Sequence, residues 1–175
     1  MRSNFALIYI LLLLLAMPSK TWAEEQVRAE ESSLQAAFLF NFALLTEWPS
    51  TQDDQFNICV LGNDPILQPL KKISTKQVKG MPINLMQIHS YKQTAKCRIL
   101  FVADEEHASM GNLSRRIGSE SVMVITRENA FDPHDTIIML VREGNRIGFA
   151  INQSVAIERK LTLSSKLLKL AKAIY

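Results

Sequence analysis

From Phe56 onward the chain alternates short apolar runs with helix and turn signals, and this alternation limits the fold more than any other feature. Phe56–Leu61 is a continuous strand-like run closed by Gly62-Asn63-Asp64-Pro65. Asp64 is placed to cap a short helix with Pro65 at its first position, reaching about Ile73. Ile83–Ile88 and Arg98–Ala103 read as the next strands; a polar helix over about Glu105–Ile117 then leads through Gly118 into Val122–Thr126. Ile137–Val141 and Arg146–Ile151 flank a Glu-Gly-Asn turn, the signature of a hairpin. Leucines at helical spacing predict a last helix over about Ala156–Ala173. Strands alternating with helices predict βαβ units. The expected class is therefore α/β: a mostly parallel sheet with helices on both faces and an antiparallel hairpin near the C-terminus.

The N-terminal part has a different character. Met1–Ala23 carries one early cation (Arg2), an apolar run Phe5–Met17 and a small-residue end at Thr21-Trp22-Ala23. These are the three parts of a secretory signal peptide, with cleavage expected after Ala23. The apolar run is short for a membrane span, and no later run approaches the roughly 20 residues that a span needs. The expected organisation is a signal peptide over 1–23 and a single exported domain over 24–175. That mature chain has 18 cations and 17 acids, a net charge of +1. A near-neutral balance without a block of like charges argues against nucleic-acid binding and against a polybasic membrane-surface protein.

Glu24–Glu31 reads as a short acidic lead-in. Ser32 and Gln35 have the spacing of a capping box, predicting a helix from Ser32 to about Thr46 that Trp48-Pro49 stops. Its apolar residues occupy more than one stripe: Leu34, Phe38, Phe42 and Leu45 on one face, Leu39 and Phe40 off it. Such a helix is either buried in its own core or shared with a partner.

Chemical signatures are sparse. The sequence has no G-x-S-x-G elbow, P-loop or G-x-G-x-x-G, and His89, His107 and His134 lie far apart. Asp104-Glu105-Glu106-His107 has cation-compatible side chains, but acids after a strand also suit a helix N-terminus. Asp132-Pro133-His134-Asp135 offers a His–Asp pair for a hydrolase, with no nucleophile identified by motif, and its residues are ordinary turn formers. Gly62–Asp64 falls at a strand's C-terminal end, where open α/β sheets bind small molecules. No metal or other cofactor is predicted. The two cysteines, Cys59 and Cys97, form a disulfide or remain two buried thiols; export favours the bridge. Neighbouring first and third strands would bring them within reach. Closing the 38-residue loop would contribute on the order of 4 kcal/mol in the chain-entropy model.

Several blocks in order resemble a known family. Ala36-Ala37-Phe38-Leu39-Phe40-Asn41-Phe42 followed by Glu47-Trp48-Pro49 resembles the opening motif of YfiR-type periplasmic proteins. Ile58-Cys59-Val60-Leu61-Gly62, Cys97-Arg98-Ile99-Leu100-Phe101, Arg146–Asn152 and Leu161–Leu168 are similar to later family blocks. The resemblance implies a non-enzymatic regulator in the periplasm. It would bind the periplasmic sensor domain of a membrane-bound diguanylate cyclase and hold it inactive, keeping cyclic di-GMP and biofilm formation low. It also implies a homodimer and a structural bridge between Cys59 and Cys97. A second cysteine pair of some members is missing here, since Ile137–Ile151 contains no Cys, and Ala150 stands where an acid is common. Two partner or dimer surfaces are expected: Phe38, Phe40, Asn41 and Phe42 with Trp48, and the strand flanked by Arg146 and Asn152. A small-ligand sensing module is the alternative.

Overall fold

The computed structural model describes residues 20–49, 53–106, 113, 117, 120–130, 132–144 and 146–175. The apolar run of the expected signal peptide and most of the predicted Glu105–Ile117 helix lie outside the described residues. The chain divides into two compact units, Met1–Glu30 and Glu31–Tyr175. In the first, the described part is helical and carries an exposed Arg28–Glu24 ion pair at 3.2 Å.

In chain order the elements are helix α1 (Lys20–Leu44), β1 (Thr46–Glu47), β2 (Phe56–Leu61), α2 (Leu67–Ile73), β3 (Gln77–Val78), β4 (Met81–Ile88), a 3-10 turn (Tyr91–Lys96) and β5 (Ile99–Val102). There follow β6 (Met123–Arg127), a 3-10 turn (Glu128–Ala130), β7 (Ile138–Glu143), β8 (Arg146–Ile151), α3 (Gln153–Glu158), β9 (Thr162–Leu163), α4 (Ser165–Leu170) and β10 (Ala173–Ile174). Among the described residues the main sheet has the order β10-β8-β7-β6-β5-β2-β4-β3, and β1 pairs with β9 separately. β4, β2, β5, β6 and β7 run parallel, β7–β8 is the antiparallel hairpin, and β3 turns back on β4. The α/β class, the parallel sheet and the late hairpin are as the sequence pattern predicts.

The continuous apolar runs follow from burial on both faces. Phe56, Ile58 and Val60 of β2, with Ile99 and Phe101 of β5, point into one core that also takes Leu39 and Phe42 of α1, Leu70 of α2 and Leu167 of α4. Cys59, Leu61, Leu100, Val102 and Val124 point into a second core, closed by Cys97 and by Leu113 and Ile117, each in helical conformation. β2 lies beside β5, and Cys59 and Cys97 are joined by a disulfide with Cα atoms 5.7 Å apart.

Two boundaries differ from the sequence reading. Helix α1 does not begin at Ser32: no capping box forms, and the helix is already under way at Lys20. Ala, Glu, Gln and Arg upstream are strong helix formers, and an i,i+4 pair supports them, so nothing interrupts the helix there. Nor does one helix cover Ala156–Ala173. Asn152 caps α3, Lys160 turns the chain at φ +59°, Leu163 pairs with Thr46, and Ser164 caps α4 through the Leu167 N–H. The chain then closes as β10 on β8, so strand pairing and two caps override the leucine spacing.

Candidate functional site

From β2 the chain crosses to β4 on one side and later enters β5 on the other. The C-terminal ends of β2 and β5 therefore form the switch point at which open α/β sheets hold ligands. Gly62 makes the turn there at φ +88°, and a Cβ on it would stand 2.8 Å from Glu106 Cγ and 3.2 Å from Ala103 Cβ. The Asn63 N–H donates to Glu105 Oε1 at 2.9 Å, and Gln87 Nε2 donates to the Gly62 carbonyl at 3.0 Å.

Arg127, the last residue of β6, fills this crevice. Its Nη1 and Nη2 donate to the two carboxylate oxygens of Asp64 at 2.7 and 3.0 Å. Nη2 and Nε also reach Gln35 Oε1 of α1 at 2.8 and 3.2 Å, Asp104 lies at 3.5 Å, and the guanidinium sits 4.9 Å from the Phe101 ring centroid. Asp64 also accepts the Ile66 N–H in a turn that precedes α2; it does not cap the helix as the sequence predicts, because α2 begins only at Leu67, with Ile66 as its N-cap and no side-chain cap bond. Burial works against the Arg127 charge, but Asp64 and Asp104 more than offset it and raise the pKa above the ordinary arginine value. The result is a fork-to-fork clamp between α1, the β2–α2 loop and β6. The Asp64 carboxylate is held in it by both terminal guanidinium nitrogens. Arg127 belongs to no motif, and the capping-box spacing that marks Gln35 points to a helix start that does not form; the only other signal is a cation ending an apolar strand.

The other end of the sheet has a cleft of about 470 Å³ lined by Trp48, Asp53, Asn57, Lys96, Cys97 and Glu120, among others. The largely buried Arg98 also lines it, reaching Asp53 at 3.4 Å and lying 5.6 Å from the Phe56 ring centroid.

The residues chosen from sequence fall into different environments. Phe42 is buried, 4.9 Å edge-on to Phe149, and Phe38 is half-buried and stacked on Phe42 at 5.8 Å. Phe40 is half-buried beneath the Lys76 ammonium, and Asn41 is exposed. Trp48 is half-buried, donates to the Ala43 carbonyl at 3.0 Å and packs edge-on to Phe56. Arg146 is exposed, opposite Glu143 in the hairpin. Asn152, at the other end of the same strand, is buried; it donates to the Pro133 carbonyl at 2.8 Å and accepts the Val155 N–H. The structure thus does not bring Arg146 and Asn152 together.

The remaining sequence candidates resolve as follows. Asp135 does not pair with His134: its carboxylate holds Arg159 at 2.9 Å in a buried ion pair, and His134 is exposed, with its backbone N–H donated to Asp132 Oδ1. Burial pushes the Arg159 guanidinium below its ordinary value despite Asp135. The Asp132–Asp135 segment is a hydrogen-bonded turn. Asp104, Glu105 and Glu106 form a short turn, His107 lies outside the described residues, and no group of three metal-type side chains is assembled among the described residues.

Fold and site together define an α/β module whose switch-point crevice is filled by its own ion pairs. Its sequence matches the YfiR/HmsC-like family over residues 32–172, and the chain belongs to that family. No curated protein matches it. Among solved structures it is similar to the ABC domain in complex with L-Trp from Streptococcus pneumonia, at 11% identity and a TM-score of 0.50. The likeness covers 69% of this chain and 55% of that one, so this chain spans about half of that structure, and it shows the fold alone. Among the described residues no helix is long and apolar enough to cross a membrane.

Proposed function

We propose that this protein is a non-enzymatic periplasmic regulator that binds the periplasmic sensor domain of an inner-membrane diguanylate cyclase and holds it inactive. The family match over 32–172 carries this reading. A signal-like N-terminus and a disulfide suited to an oxidising compartment support export. The Arg127 clamp supports a binding role, because the groups that would engage a substrate in the crevice are committed to one another. The partner or dimer surface is formed by the accessible residues of the aromatic segment, Phe38, Phe40, Asn41 and Trp48, together with Arg146; Phe42 and Asn152 hold that surface in place from within. The active form in this reading is a homodimer.

Cyclic di-GMP measured in cells with and without the gene tests the proposal. Deletion raises it and an export-competent copy restores it; an unchanged level across several growth conditions overturns the reading. The cleft beside Trp48 favours a second reading, a small-solute sensor, for which a thermal shift with a metabolite panel is the test.

A further inference from the structure

The near-neutral average charge hides a segregation. Residues 65–103 contain seven cations, six of them lysines, and no acid; all seventeen acids of the chain lie elsewhere. The fold places four of those lysines together. Lys71 and Lys72 are in the last turn of α2, and Lys76 and Lys79 bracket β3, the edge strand of the sheet, whose hairpin turns through Lys79 at φ +50° and Gly80. Helix α2 runs back along β4 from the β2 end, so its C-terminal turn and the β3–β4 turn come to the same end of the sheet. All four lysines are exposed, and none makes an ion pair within 4.0 Å among the described residues; the Lys76 ammonium lies over Phe40.

We infer that this lysine edge is a docking surface for anionic phospholipid headgroups. The composition selects a lipid surface over a protein partner. Protein interfaces enrich arginine and aromatic residues and deplete lysine, whereas residues 65–97 hold six lysines and no arginine. Lysine is a hydrated, mobile point charge that makes no fixed fork, which suits a fluid layer of phosphates. The exposed residues in and beside the lysine run, Gln68, Thr75, Gln77 and Pro82, are not large apolar anchors, and the one aromatic at its border, the half-buried Phe40, is covered by the Lys76 ammonium. Lysines at a sheet edge also deter edge-to-edge pairing, but that role explains Lys76 and Lys79 and not Lys71 and Lys72, which lie on a helix. The inference does not depend on the cyclase reading.

The test uses the protein recovered from the periplasmic fraction of expressing cells, its N-terminus defined by mass spectrometry. It is cosedimented with vesicles of 7:3 phosphatidylcholine and phosphatidylglycerol, or of phosphatidylcholine alone, at low and high salt. Each lysine near an anionic surface strengthens partitioning by about fivefold. Changing all four to glutamine therefore lowers binding to the anionic vesicles by at least about a hundredfold, while changing all four to arginine retains it. Lys166→Gln with Lys169→Gln on α4 removes two exposed cations elsewhere and changes binding by less than about fivefold. Unchanged urea midpoints establish that the variants fold. Equal binding to neutral vesicles, or an equal loss in the α4 variant, overturns the inference. Retention on a polyglutamate column with no vesicle binding also overturns it and assigns the edge to an acidic protein instead. Competition by millimolar inorganic phosphate at constant ionic strength would overturn it too, because a free-phosphate site rather than a lipid surface would then be present.

Discussion

Replacing Arg127 with methionine keeps most of the side-chain volume and removes the cation from the clamp. Asp64, whose side chain is 5% exposed, then retains the Ile66 N–H but loses both guanidinium bonds, and Gln35 Oε1 loses its two donors. Breaking a buried ion pair on one side costs about 3–5 kcal/mol. The Arg127 side chain is 20% exposed, so water reaches part of the site and we discount the loss to about 2–4 kcal/mol. At roughly 2–4 °C per kcal/mol for a domain of this size, the melting temperature falls by about 5–15 °C. The assay is urea unfolding of the oxidised protein, with the slope unchanged and the midpoint lowered. Asp64→Asn removes the carboxylate while leaving a carbonyl oxygen for the Ile66 N–H. The Asp64→Asn, Arg127→Met double variant therefore recovers stability relative to Arg127→Met alone, with a coupling of about 2 kcal/mol in the cycle. A single-variant cost below about 1 kcal/mol, or a coupling below about 0.5 kcal/mol, would show that Asp64 is solvated and that the clamp does not join α1 to the sheet.

Three further outcomes follow from the same geometry. Cys59→Ser opens the 38-residue loop, lowers stability by up to about 4 kcal/mol and reduces the amount of protein recovered from the periplasm; two reactive thiols in the native, unreduced protein would contradict the bridge. Arg159→Met strands Asp135, whose side chain is 2% exposed, and costs about 3–5 kcal/mol in urea unfolding. Because Arg159 Nη1 is buried without a hydrogen bond, Asp135→Leu combined with Arg159→Met returns to within about 1 kcal/mol of the parent. Gly62→Ala forces a side chain into a left-handed turn against Glu106 and Ala103 and destabilises by more than about 1 kcal/mol, read as a lower thermal midpoint.

The centre of the sheet was legible because β2, β5 and β6 are buried on both faces and so appear as nearly unbroken apolar runs; β2 matches the predicted Phe56–Leu61 residue for residue. The C-terminal region was not, because Leu163 and Ile174 keep a helical spacing while the contacts that place them in strands, Thr46 and Ile151, are distant in sequence. Nor was the start of α1, where Ser32 has the chemistry of a cap but sits in the buried face of a helix that strong formers extend upstream. The candidate site was half legible. Asp64 was placed as a helix cap, but its partner Arg127 lies 63 residues away, Gln35, which accepts from the same guanidinium, lies 92 residues from Arg127, and no local pattern joins the three. The lysine edge was concealed by averaging charge over the whole chain.

The disulfide also divides the molecule mechanically. Between Cys59 in β2 and Cys97 just before β5 lie α2, β3 and β4, so the whole lysine-bearing edge is a covalently closed ring. Tension applied at the two chain ends bypasses that ring: the load passes from β2 across the sulfurs to β5. At about 3.6 Å per extended residue, the oxidised chain is shorter at full extension by about 130 Å than the reduced one. A single proteolytic cut inside the ring likewise releases no fragment, leaving the edge tethered to the sheet by both of its new ends.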